Sequence, residues 1–398
     1  MKRTVVLLLF FFVTLVFITG CWNRRELNDL AIAVGMGIDK SGDQYLVTAQ
    51  VVDPGEVAAK GGSGRAPVTT YQQTGKTVLE ALRKMTTLAP RKIYASHLRM
   101  LVIGESLAKD GMAKVLDLLS RDQELRTDFY IVVAKGTKAE NILKILSPLE
   151  KIPANKMFSS LETSEKLWAP TVSITLDELI SDLTSEGKQS ALTGIRIKGS
   201  QEQGEMKKNV EEIDALGRLQ YAGIAVFKKD KLVGWLNETE SKGYTDLTDK
   251  LDGTILNVPC TKGGNVGIEV IRSKTDVKGK VKNGKPKVEV KIQTEANVAE
   301  VECGHLDLKK TKTIYDLETK LEKEVKDHCE ASIRKAKKLG TDIFGFGEAV
   351  HRGAPRYWKK NKKHWDKDFI DMPVEIKVEA KIRRIGTIGN SFLEDVKK

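Results

Sequence analysis

Few residues in this chain combine the types and spacing that chemistry needs. Thr74-Gly75-Lys76-Thr77 has the ending of a loop whose backbone N–H groups and lysine cradle phosphates, but the glycine required five residues before Gly75 is Thr70. A helix start is the better reading. Gly35-Met36-Gly37 and Gly345-Phe346-Gly347 each lack the third glycine of a dinucleotide fingerprint. The five histidines, His97, His305, His328, His351 and His364, are too scattered for a metalloprotease helix, and no Gly-x-Ser-x-Gly elbow occurs. Cys303-x-His305 and His328-Cys329 would supply soft metal ligands if the fold joined them; without CxxC spacing, buried thiols and core-edge histidines are the commoner use. The expectation is no catalytic residue, no metal and no cofactor. Trp358 and Trp365 bracket the basic run Lys359-Lys360-Asn361-Lys362-Lys363-His364. Such a run can lie on an anionic membrane, but indoles seven residues apart share one helix face, which favours burial of both.

One cysteine stands apart. Met1-Lys2-Arg3 precedes an apolar run from Val5 to Ile18 broken only by Thr14, the charged start and hydrophobic core of an export signal. That run is short of the roughly 20 residues that cross a bilayer. Ile18-Thr19-Gly20-Cys21 ends it and resembles the lipobox of bacterial lipoproteins, which implies cleavage before Cys21 and diacylglycerol and N-acyl lipid on that residue. Several acyl chains anchor durably because each buried CH₂ contributes about 0.8 kcal/mol. Cys21 is therefore the expected lipid-attachment site, and residues 1–20 the signal peptide.

The 398-residue chain carries a net charge of +12, and removing Lys2 and Arg3 with the signal leaves +10. Export argues against nucleic acid as the partner of this excess and points to a membrane surface. With Cys21 acylated, Cys260, Cys303 and Cys329 remain, an odd number that cannot all pair within one chain.

Patterning predicts a hairpin within 31–52 turning at Ser41-Gly42-Asp43, and a Gly-rich loop from Asp53 to Pro67. A helix with Val78, Leu79, Leu82, Met85 and Leu88 follows, then strands at 97–104 and 128–134, with Thr137 capping the next helix. Thr175 and Glu178 have capping-box spacing. Residues 201–217 read as a linker or long loop. Beyond it lie hairpins turning at Lys228-Lys229-Asp230 and Asn283-Gly284, a helix over 313–339 ended by Gly340, a helix restarting at Thr341-Asp342, and a closing strand over 374–382. The fold class expected is mixed α/β or α+β: a domain over 21–200, a second over 218–390 with a further division near 265 open, and a tail over 391–398.

Ordered blocks carry a family resemblance. Cys21-Trp22-Asn23-Arg24-Arg25-Glu26-Leu27-Asn28-Asp29-Leu30 with Gly37-Ile38-Asp39-Lys40 resembles the mature start of the Ger(x)C lipoproteins, the C subunits of bacterial spore germinant receptors. The similarity continues through Ser96-His97-Leu98, Arg121-Asp122-Gln123-Glu124-Leu125-Arg126, Gly223-Ile224-Ala225-Val226-Phe227, Asp342-Ile343-Phe344-Gly345-Phe346-Gly347-Glu348, Trp358-Lys359 and Ile382-Arg383-Arg384-Ile385-Gly386. Asn23 stands where the family has aspartate, and 351–355 is looser than its usual stretch. The resemblance implies a non-enzymatic subunit on the outer face of the spore's inner membrane, assembled with two integral membrane subunits, A and B, for nutrient-triggered germination. Germinant binding is generally associated with those membrane subunits, so the resemblance assigns no small-molecule ligand to this chain. An extracytoplasmic substrate-binding lipoprotein of a transporter is the alternative from another class.

Overall fold

The computed structural model describes residues 3–5, 29–58, 65–260, 263–304 and 306–386. Cys21, most of the signal segment and the tail 391–398 lie outside them. Apolar runs build the centre of the first sheet. Its strands are β1 (Leu30–Ser41), β2 (Gln44–Val52), β3 (Val68–Gly75), β4 (Lys92–Tyr94), β5 (Met100–Gly104), β6 (Tyr130–Ala134), β7 (Ala191–Gly199), β8 (Gly217–Lys228) and β9 (Lys231–Leu236). The order is β3-β2-β1-β5-β6-β7-β8-β9, with β4 beside the start of β1. The centre, β1 to β7, is parallel, and the margins β3-β2 and β8-β9 are antiparallel.

Met100, Leu101, Val102 and Ile103 are all buried because helices cover both faces of this centre. Full burial of each such side chain contributes about 1.5–3 kcal/mol. The stretch 201–217, read as a linker or loop, holds two short helices, Gln201–Gly204 and Lys208–Glu211, and the sheet runs on past it, so sheet one ends at Leu236. The second sheet begins with β10 (Thr254–Pro259) and continues as β11 (Asn265–Lys282), β12 (Lys285–Val301) and β13 (Val374–Arg384). Strands β10, β11 and β12 are antiparallel, but β13 runs parallel to β12, because the helices between 311 and 371 carry the chain back before it re-enters. The sheet of the C-terminal half is therefore mixed.

Several caps fall where the sequence placed them. Thr77 accepts from the Glu80 N–H and opens the helix Val78–Lys84. Thr175 and Glu178 form a capping box. Gly340, at φ +65°, ends the helix Thr311–Leu339. Thr137 does not cap its helix. The Asp39 carboxylate, reaching from β1, accepts the N–H groups of Ala139 at 2.8 Å and Glu140 at 3.0 Å and seats the helix Ala139–Lys144 on the sheet.

Cys260 and Cys303 are disulfide-bonded, with Cα atoms 6.0 Å apart, and Cys329 is free and buried. The bond ties the end of β10 to the end of β12 across β11 and closes a separation of 43 residues. Loop-closure entropy for such a crosslink is worth about 4 kcal/mol. Cys260→Ser is expected to lower the denaturant midpoint by a large part of that amount, and reducing agent to do the same to the parent but not to the variant. A parent unaffected by reduction would contradict the assignment.

The helix Glu238–Leu247 is capped by an Asn237/Glu240 box and crosses Thr311–Leu339 at Gly243, where any Cβ would collide with the His328 carbonyl. Asp246 on this helix is completely buried, with Ser273 Oγ donating to it at 3.2 Å. Burial pushes its carboxyl up to about 7. The folded chain therefore holds more protons than the unfolded chain between about pH 4 and that value, and stability falls as pH rises through the window. Asp246→Asn is expected to stabilise the fold at pH 8 by about 1–3 kcal/mol, the gain shrinking as pH is lowered towards 4. Thermal unfolding across this range checks it; a gain independent of pH would refute the charge argument.

Candidate functional site: the joint between the two sheets

Asp342 follows the Gly340 turn and lies between the sheets. One carboxylate oxygen accepts the N–H groups of Phe344, Gly345 and Phe346 at 3.1–3.2 Å; the other accepts Gly347 N–H at 2.8 Å and Trp365 Nε1–H at 2.9 Å. Complete burial pushes its carboxyl up to about 6, and the five donors pull the other way. The helix expected to restart at Thr341-Asp342 begins only at Phe346 and runs to Gly353, because Asp342 folds the intervening turn around its own side chain.

Both walls of the joint meet at this turn. Gln189 N–H donates to the Asp342 carbonyl at 2.7 Å, Ser185 Oγ donates to Glu348 at 2.7 Å, and Thr341 Oγ1 donates to the Phe227 carbonyl at 2.9 Å. Gly187 and Gly347 pass so closely that a Cβ on Gly347 would lie 2.7 Å from Gly187 Cα and 2.7 Å from Trp365 Nε1. No real Cβ tolerates that approach. Trp358 and Trp365 are buried as expected, but not on one helix face: a 3-10 turn over 362–364 separates the helix Pro355–Asn361 from the helix Trp365–Asp371, and the two indoles meet edge to face with ring centroids 5.3 Å apart, His351 stacking on Trp358.

A groove of about 820 Å³ opens beside the joint. Leu116, Ile180 and Leu183 give it an apolar floor, and ion pairs span its rim: Lys362 to Glu186 at 2.7 Å and Lys228 to Asp366 at 2.8 Å. The lysines of the basic run thus include one committed to holding the two sheets together. At half-exposed sites each such pair contributes about 1 kcal/mol or less, so the joint is held mainly by the close approach of Gly187 to Gly347 and the hydrogen bonds of Gln189, Ser185 and Thr341 across it, with Asp342 shaping the turn that makes them.

The other residues singled out by type do not converge. Cys303 is held in its disulfide and is no thiolate ligand, which removes the Cys303-x-His305 option; His305 lies outside the described residues. His328 Nε2 lies 3.3 Å from Glu324, and burial holds its imidazole below the ordinary value. Burial pushes the Cys329 thiol well above its usual range. Among the described residues no three His, Cys, Asp or Glu side chains gather as a metal would need, and no helix is long and apolar enough to cross a membrane. Gly187 and the buried role of Asp342 were not readable as site features; the one local signal was the place of Asp342 among glycines and aromatics in the block Asp342–Glu348, and Gly187 had none.

Known proteins are similar to this chain. The family profile described as "Spore germination protein N-terminal domain" matches residues 23–197, and that described as "Spore germination B3/GerAC like, C-terminal" matches residues 222–386. Spore germination protein KC of Bacillus subtilis (strain 168) is 35% identical over 406 residues, covering 100% of both chains. Spore germination protein B3 of the same organism is 27% identical, covering 95% of this chain and 97% of that one. The crystal structure of the GerBC protein superposes with a TM-score of 0.54 at 21% identity, covering 90% of this chain and 99% of that one, and shows the same fold. With both profiles matched in order and a relative aligned from end to end, this chain belongs to the Ger(x)C (GerAC-like) family of spore germination proteins.

Proposed function

We propose that this chain is the non-enzymatic C subunit of a nutrient germinant receptor, anchored by lipid on Cys21 at the outer face of the spore's inner membrane and assembled with two integral membrane subunits. The observation that carries the reading is the end-to-end match with spore germination protein KC at 35% identity. The Cys260–Cys303 disulfide supports an extracytoplasmic body, since such bonds persist in oxidising compartments. The joint supports a scaffold role: hydrogen bonds from Gln189, Ser185 and Thr341 tie the segment 341–348 to the first sheet and its neighbouring loop. Deleting the gene in a strain cleared of paralogous receptors is expected to abolish the response to nutrients while leaving germination by direct chemical triggers intact. An unchanged nutrient response in that strain would overturn the reading.

A further inference from the structure

The second sheet has two unlike faces. Helices cover one: Val288, Val290 and Ile292 of β12 are buried there, and a Cβ on Gly279 would run into the backbone of Ala349 and Val350 in the helix Phe346–Gly353. The opposite face is exposed, and the alternate positions of β11, β12 and β13 that form it, 272–282, 285–295 and 375–383, are almost wholly charged. They hold eleven Lys or Arg against five Asp or Glu, so half of the chain's +12 lies on three strands about 10 Å across.

The excess is concentrated at the hairpin tip. Lys282 lies directly opposite Lys285, and Lys280 opposite Lys287. Like charges facing each other across an antiparallel pair are destabilising. Lys280 pairs with Glu289, and Lys287 pairs with Glu375 at 2.5 Å and more loosely with Glu289 at 3.5 Å, whereas Lys282 and Lys285 make no ion pair among the described residues. Solvation and protection of the sheet from self-pairing would be served by alternating signs, and the tip does not alternate. Such a surface is complementary to a dense, flat array of anions.

We propose that this face, tip foremost, docks on an anionic lipid surface. The proposal rests on the reading of the chain as membrane-anchored: the nine residues from Cys21 to Leu30 span at most about 30 Å, which keeps an anchored body within reach of the headgroups. The attraction acts within a Debye length, about 8–10 Å at ordinary salt.

The test uses the full chain with vesicles of phosphatidylcholine alone or with one third phosphatidylglycerol. A fluorophore on Gln293→Cys, on the charged face, reports approach to a lipid-borne quencher; Cys329 is buried and does not compete. Quenching is expected to be about threefold greater with phosphatidylglycerol, to vanish near 0.5 M salt, where the screening length is about 4 Å, and to fall to the neutral-lipid level in K280E/K282E/K285E, which alters exposed side chains only. Equal quenching in the two compositions overturns the proposal while flotation with neutral vesicles upholds the anchor. Flotation with phosphatidylglycerol vesicles alone overturns the anchor and upholds the basic face, and flotation with neither overturns both. Protection of the tip from trypsin by soluble polyphosphate but not by anionic vesicles would assign the face to a polymer and sink the proposal.

Discussion

Asp342→Ala will cost the folded chain on the order of 3–5 kcal/mol, the largest loss expected from any single side chain in the joint. The estimate follows from what is left behind. Four backbone N–H groups and the Trp365 indole lose their acceptor in a completely buried place, and each stranded donor costs about 1–3 kcal/mol, part of which relaxation and water recover. Asp342→Asn should lose less, because its oxygen still serves Phe344, Gly345 and Phe346 while its NH₂ is turned against the donors of Gly347 and Trp365. Denaturant unfolding of the three proteins measures this order. The joint should loosen with it, read as faster amide exchange at 343–347 and higher Trp365 fluorescence quenching by solvent. A loss below about 1 kcal/mol for the alanine variant, within the range of an ordinary surface change, would mean that the turn over 343–347 is held by something other than the Asp342 carboxylate.

The second large effect concerns location rather than stability. Cys21→Ala removes the thiol that would carry the lipid, and with it the acyl chains whose burial would hold the body at the bilayer, at about 0.8 kcal/mol per CH₂. The expected product is unlabelled by radioactive palmitate, migrates as the uncleaved precursor, and fails to restore nutrient-triggered germination in a deletion strain, with the folded body's unfolding midpoint unchanged. Labelling equal to the parent would exclude Cys21 as the attachment site.

Much of the architecture was legible locally. Asn283-Gly284 between alternating runs gave the long hairpin, Gly340 the end of its helix, and Thr175 with Glu178 a helix start. The helix Glu238–Leu247 was not legible as one, because every residue from Ser241 to Leu247 is buried and no amphipathic stripe remains, while Gly243 lowers helix propensity. Its Asn237-x-x-Glu240 box was the available signal. The strand Val68–Gly75 was hidden by its polar edge composition, Thr69-Thr70-Tyr71-Gln72-Gln73. Strand order and the parallel entry of β13 depend on contacts far apart in sequence.

The joint divides the same way. Burial of Trp358 and Trp365 was expected from their spacing, but the 3-10 turn over 362–364 puts them on two helices, and it is packing between those helices that buries both. Trp365 donating to Asp342, Gly187 against Gly347, and Asp39 capping a helix 100 residues on are relations between segments, whereas the other four donors to Asp342 lie within the five residues that follow it. Asp39 and the stretch Asp342–Gly347 both belong to blocks that carried the family resemblance, and the structure gives each a reason: one seats a helix on the first sheet, the other fastens the second sheet to it.

The most direct test of the account is isolation of this chain, tagged at its C-terminus, from detergent-solubilised membranes of dormant spores, with quantitative mass spectrometry of what accompanies it. The account predicts an acylated Cys21 peptide and two integral membrane proteins in amounts comparable to the tagged chain, both lost from the tagged fraction in Cys21→Ala. Recovery of the chain alone, or with the permease of a transporter, would contradict it.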